Sequence, residues 1–161
     1  MSSSEPTCPR DPGPEAGIEV RQRWMGLLAR ASADRLEAGW RALEAVPAYD
    51  LLRRPETGMV MVRGRSGGTG PRFNLGEMTV TRCVVRTRQG TMGHGYVAGR
   101  DHRRAELAAV FDALLQERAT HAAVMRAVIE PVAADLAAAE RTAREKAAAT
   151  KVRFFTMVRG E

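Results

Sequence analysis

Residues 62–76 read VRGRSGGTGPRFNLG, with five glycines and three arginines in fifteen positions. Strand-like apolar runs stand on both sides, MVMVRGR (59–65) before it and EMTVTRCVVRTR (77–88) after it. A short glycine-rich connection between two such runs is the mark of antiparallel neighbours, because parallel strands need a long crossover. Three uses of the stretch are open: a phosphate cradle, a nucleic-acid loop, or a turn with charged shoulders. A P-loop requires G-x-x-x-x-G-K-[ST] leading from a strand into a helix. Here no Lys-Ser/Thr pair follows the glycines, Pro71 interrupts, and the next run reads as strand. A dinucleotide-binding fingerprint fails on the same spacing and context. The glycines Gly67, Gly68 and Gly70 either hold positive φ in a nest of backbone N–H groups, with Arg65 and Arg72 at its mouth, or serve turn geometry alone.

Working outward, YDLLRR (49–54), MVMVRGR, EMTVTRCVVRTR and MGHGYVAG (92–99) are punctuated by PETG, SGGTGPR and RQG. The pattern predicts an antiparallel meander of three to five strands. Strand alternation puts Met78, Val80, Arg82, Val84 and Arg86 on one face and Thr79, Thr81, Cys83, Val85 and Thr87 on the other. Met59, Met61, Arg63 and Arg65 likewise share a face. Guanidinium groups among large apolar side chains are not tolerated on a buried face unless each is paired.

On either side of the meander the period changes to that of helices. Ile18 to Ala45 predicts two pieces, with Trp24, Leu27, Leu28 and Ala31 as one stripe and Leu36, Trp40 and Leu43 as the next. Ser32 is the expected N-cap between them, and Pro47 the stop. Asp101 is placed to cap a helix reaching about Arg118, with Leu107, Ala108, Phe111, Leu114 and Leu115 as its stripe. Thr120 is the expected start of another. Pro131 either opens a fresh helix or kinks a long one. The alanine-rich stretch from Pro131 to Lys151 favours helix but holds only Val132 and Leu136 as large apolar residues, too thin a stripe to stabilise it by burial on its own domain. It therefore offers a surface to a partner. The fold class expected is α+β, an antiparallel sheet flanked by N-terminal and C-terminal helices. Residues 1–17, rich in Pro, Ser and Gly, read as a disordered tail, 18–150 as a single domain, and 151–161 as an apolar docking segment carrying Phe154, Phe155, Met157 and Val158, the alternative being an edge strand or plug of the domain's own core.

The chain has 161 residues and is 44% hydrophobic, enough for one real core. No apolar run is long enough for a membrane span, and the N-terminus lacks the apolar stretch of a secretory signal, so a cytoplasmic protein is expected. Its two cysteines, Cys8 and Cys83, do not suggest a disulfide framework. Net charge is +6, unevenly spread: between Arg53 and Arg104 eleven arginines and no lysine face three acids, a surplus of +8 that leaves −2 for the rest. Such a field attracts an anion, whether phosphate, nucleotide, nucleic acid or an acidic protein face, or is simply a solvated basic surface. Arginine's planar fork suits two-point contact with phosphate or carboxylate. The candidate anion-binding or interface residues are Arg63, Arg65, Gly67, Gly68, Gly70 and Arg72 in the hairpin, with Arg82, Arg86 and Arg100 beyond it. His94, His102 and His121 lack metal-ligand spacing, and no nucleophile elbow, C-x-x-C or close carboxylate pair is present, so neither a catalytic residue nor a metal site is expected. Two rivals stand beside a subunit that lends contacts to an active site elsewhere. One is a basic nucleic-acid-binding module, although Tyr96 is nearly alone as a stacking aromatic. The other is a stand-alone nucleotide-processing enzyme.

Three separated motifs and the chain's end carry a resemblance. ETGMVMVRGRSGGTGPRF (56–73), TVTRCVVR (79–86), GTMGHGYVAGRDHRRAELAAVFDALLQ (90–116) and FFTMVRG (154–160) resemble, in order, the PhnG family of the bacterial carbon–phosphorus lyase system. The resemblance spans roughly Arg21 to Gly160. It implies an essential companion subunit with PhnI-type, PhnH-type and PhnL-type partners. Their complex makes α-D-ribose 1-alkylphosphonate 5-triphosphate from ATP and an alkylphosphonate with release of adenine. It also implies a place in a core complex with a PhnJ-type subunit that cleaves the carbon–phosphorus bond. ATP is then a substrate of the complex, and no cofactor is expected on this chain.

Overall fold

The computed structural model describes residues 14–45 and 48–150. Helix α1 (Pro14–Arg30) starts inside the stretch read as tail, so residues 14–17 are helical. Ser32 ends the first piece and caps the second, α2 (Ala33–Ala42): its Oγ accepts from the Arg35 N–H at 3.2 Å. Helix α2 closes at Leu43, short of the expected Ala45, and Pro47 lies outside the described residues.

The sheet has three strands, in the order β1-β2-β3 and all antiparallel: β1 (Tyr49–Arg65), β2 (Arg72–Thr87) and β3 (Met92–Ala98). PETG is therefore no turn. It lies inside one 17-residue strand, where the register slips between Leu51 and Arg53 and again between Arg53 and Glu56. Pro55 is tolerated there because β1 is an edge strand and the slips free it from the ladder. The inner face of β2 is as the alternation predicts: Thr81, Cys83, Val85 and Thr87 are buried and Arg82 and Arg86 exposed. On β3 the matching inner residues are Gly93, Gly95 and Val97.

Helix α3 (His102–Gln116) crosses this inner face and is the centre of the molecule. Asp101 caps it, Oδ1 accepting from the Arg104 N–H at 2.9 Å. It is covered on all sides, from Ala105 to Leu115 with only Glu106 partly open, so the stripe read from Leu107, Phe111 and Leu114 is half of the story. Ala105, Ala109 and Ala113 form a second stripe of small residues against β3. A Cβ placed on Gly95 would lie 2.0 Å from the Ala105 carbonyl oxygen, and one on Gly93 2.0 Å from that of Ala109. Strand and helix approach this closely only because both glycines lack a side chain.

Behind α3 lie α1, α2 and a long C-terminal run: α4 (Arg118–Val124), a π turn (Met125–Ile129) and α5 (Glu130–Ala149). The run starts two residues before Thr120, whose hydroxyl instead donates to the Leu114 carbonyl at 2.6 Å. Pro131 sits in the first turn of α5 without breaking the run. A proline cannot donate to the carbonyl four residues back, and the π turn just before it changes that pairing by one residue. Leu28, Leu36, Leu107, Phe111, Leu114 and Val128 meet in the core, at most 2% exposed. Each contributes about 1.5–3 kcal/mol by burial. Trp24 is buried with them and Trp40 packs against their edge. After Leu136, α5 is exposed on every side. No described helix is long and apolar enough to cross a membrane.

Candidate functional site

Strand β3 pairs only with Val80–Arg86, whereas β1 and β2 continue together from Met59↔Thr79 to Arg65↔Arg72. The hairpin therefore outruns the sheet as a two-stranded ribbon about 25 Å long. At its end Ser66–Gly68 forms a single tight turn, with Gly67 at φ 59° and Gly68 at φ 83°. The Gly70 N–H donates to the Ser66 carbonyl at 2.8 Å, the Thr69 N–H donates to that carbonyl too, and the Ser66 N–H points to the Pro71 carbonyl at 3.4 Å. A Cβ on Gly70 would meet that Ser66 oxygen at 2.5 Å. These glycines are thus required by the turn, and three N–H groups of the loop are spent inside it.

Alternation along β1 keeps Met59, Met61, Arg63 and Arg65 on one face. The register slip after Val62 adds its extra residue on β2, and Gly64 lies against Phe73 and Leu75 on the other face. Arg65 donates to the Gly70 carbonyl at 3.3 Å, and Arg72 stands opposite it in register. Arg63, Arg65 and Arg72 thus gather at the tip. The remaining candidates do not join them. Arg82 and Arg86 lie on the outer face of the sheet, 10 and 14 residues back along β2 from Arg72, or about 33 and 46 Å. Arg82 is engaged with Glu56 at 2.5 Å, and Glu56 also holds Arg53. Arg100 is exposed at the turn into α3, beside Gly99. Phe154, Phe155, Met157 and Val158 lie outside the described residues.

Two further polar clusters, one buried and one partly exposed, were not singled out in the sequence. Asp112, fully buried on α3, accepts from Arg21 Nη2 at 2.8 Å, Trp24 Nε1 at 2.9 Å and the His94 backbone N–H at 2.9 Å. One carboxyl group thus ties α1 and β3 to the central helix. In the second cluster the Tyr49 hydroxyl donates to Glu106 Oε1 at 2.6 Å, and Arg103 joins Glu37 at 2.8 Å while lying over the Trp40 ring. Burial, then the bond to Glu106, pushes the Tyr49 phenol up to about 12. Burial likewise pushes the Cys83 thiol up to about 11, which leaves it protonated and a poor nucleophile. The three histidines are dispersed: the His121 ring bonds the Leu115 carbonyl, His102 bonds Thr57, and His94 is engaged through its backbone. Among the described residues no three His, Cys, Asp or Glu side chains converge as a metal site. An open groove of about 570 Å³ beside Leu43, Leu114 and Val124 has Glu44 and Arg126 as its charged lining.

The family model described as phosphonate metabolism protein PhnG matches residues 19–160. The chain belongs to the PhnG family. A curated PhnG relative from Rhizobium meliloti (strain 1021) is 52% identical over 147 residues, covering 91% of this chain and 94% of that protein. Its name is alpha-D-ribose 1-methylphosphonate 5-triphosphate synthase subunit PhnG. The exposed ribbon and its tip arginines lie within the matched span, as does the glycine seam between β3 and α3.

Proposed function

We propose that this chain is the PhnG-type subunit of a synthase that makes α-D-ribose 1-alkylphosphonate 5-triphosphate from ATP and an alkylphosphonate. In that reaction a phosphonate oxygen forms a bond to the ribose anomeric carbon as the bond to adenine breaks, and adenine leaves. The observation that carries the reading is the 52% identity to a subunit of such a synthase across nearly the whole of both chains. The site supports an accessory role. Among the described residues the buried titratable groups Asp112, Glu117 and Cys83 and the half-buried Tyr49 are held in contacts between elements. The arginines that could meet an anion are spread over the surface. The chemistry then falls to a PhnI-type subunit, with PhnH-type and PhnL-type proteins completing the set in the cytoplasm. The same chain enters the lyase core beside a PhnJ-type subunit. Residues 151–161 add a docking segment, and Arg63, Arg65, Arg72, Arg82, Arg86 and Arg100 serve the interface or the substrate's phosphates.

The test is adenine release from ATP plus methylphosphonate, followed by chromatography. The isolated chain releases none, and the full set of subunits releases adenine only when this chain is present. Turnover by the isolated chain at the rate of the complete set would overturn the accessory role.

A further inference from the structure

We propose that the free end of the β1–β2 ribbon is a docking arm that inserts into another subunit of the synthase, into an apolar groove ending in carboxylates. This deepens the functional reading above and rests on it.

The arm carries apolar side chains on both faces, and among the described residues no layer of the domain lies over either. Met59 is 69% exposed, Met61 51%, Leu75 65% and Phe73 46%. A two-stranded ribbon alone is marginal in water, and bulky apolar groups on it gain stability only when covered. The open edge of β1 points the same way. Pro55 and two of the three register slips fall at the root between Leu51 and Glu56, the third follows Val62 with its extra residue on β2, and from Gly58 to Val62 the edge is regular and uncharged. Such an edge accepts a further strand or a tight wall.

Charge selects the occupant. From Thr57 to Thr79 the arm has three cations, Arg63, Arg65 and Arg72, and one acid, Glu77. None of the three makes an ion pair among the described residues. Guanidinium groups gathered beyond an apolar stem fit carboxylates at the far end of the groove. A second copy of this chain lacks the acidic surplus to supply them, since residues outside 53–104 carry only −2. A nucleic acid would call for cations along the whole ribbon, and its stem has none.

The experiment co-expresses full-length chain with the other synthase subunits, one of them tagged, and reads both assembly and adenine release. Two variants are compared with wild type: Met59→Ser/Met61→Ser/Phe73→Ser/Leu75→Ser, and Arg63→Glu/Arg65→Glu/Arg72→Glu. Thermal melting of each chain alone stays within a few degrees of wild type, because the arm lies off the core. Both variants bind the other subunits at least about tenfold more weakly, and wild-type binding weakens as salt is raised. Assembly of both variants at wild-type affinity overturns the arm while leaving the synthase reading intact. Normal assembly with lost turnover in the arginine variant overturns the acidic groove and puts the guanidiniums on substrate. Binding of a 30-nucleotide RNA by the isolated chain, steeply salt-dependent and abolished in the arginine variant, overturns the protein partner. Failure of wild type to assemble or to support turnover overturns the functional reading, and the arm with it.

Discussion

A methyl group at Gly95 has nowhere to go, because the atom it meets is the backbone oxygen of Ala105 rather than a movable side-chain end. Gly95→Ala must push β3 off α3, and we expect it to cost about 3 kcal/mol or more, read from the urea midpoint. Gly39→Ala is the control. Its Cβ would touch Val128 Cγ2 at 2.6 Å and the Ala127 carbonyl at 3.3 Å, but Gly39 is inside helix α2. There alanine gains about 1 kcal/mol of helix propensity against an overpacking cost of about 1–3 kcal/mol. It should lose no more than about 2 kcal/mol. Tyr49 offers a second reading at this scale. Its pKa in the folded protein is pushed up to about 12, against about 10 in an unfolded chain. The stability it contributes is therefore fully present below about pH 10 and is lost as pH rises through about 12. In a Tyr96→Phe variant, phenolate absorbance at about 295 nm should rise near pH 12; a step near 10, the ordinary phenol value, would contradict the half-buried Tyr49–Glu106 bond. The capping residues Ser32 and Asp101 were legible in the sequence because a short polar side chain before an apolar period has one common use. Gly93, Gly95 and Asp112 were not, since their roles depend on what lies across the fold from them.

At the scale of elements, the ribbon and the end of α5 share a property: regular backbone pairing with little side-chain cover. Amides from Gly58 to Arg65 and from Arg72 to Met78 should exchange in the isolated chain at least about a hundredfold faster than those of Cys83 to Thr87, whose strand is flanked on both sides and lies on α3. Deuterium uptake by mass spectrometry checks this, and equal protection along β2 would mean that the ribbon is covered within the chain itself. The hairpin was readable from residues 62–76 because glycines between alternating runs leave few alternatives. Its length was not. PETG has turn composition, and only the pairing with β2 shows that an edge strand carries it through a slipped register. The alanine-rich helix was read for its thin stripe, and its exposure after Leu136 follows from that same lack of large side chains.

For the molecule as a whole, the change of apolar period from helix to strand and back was enough to give α+β with helices on both flanks. The order of packing was hidden, because α3 is apolar all round through alanine, a residue that marks no face. The arginine surplus was visible as a number, yet its dispersal into tip, outer face and α3 turn is a property of three dimensions. One consequence of the central helix concerns synthesis. Helix α2 and the inner face of the sheet find their cover on residues after 101, α1 finds its own on β3 and on those residues, and Arg21 and Arg35 find their carboxyl partners 91 and 100 positions later. At a translation rate of about 5–20 residues per second, the first hundred residues take about 5–20 s to make, and throughout that time α1 and α2 lack their cover from α3. Nascent chains of this protein should therefore need shielding of hydrophobic segments at the exit tunnel, and a ribosome that stalls before α3 emerges releases a fragment without its central helix.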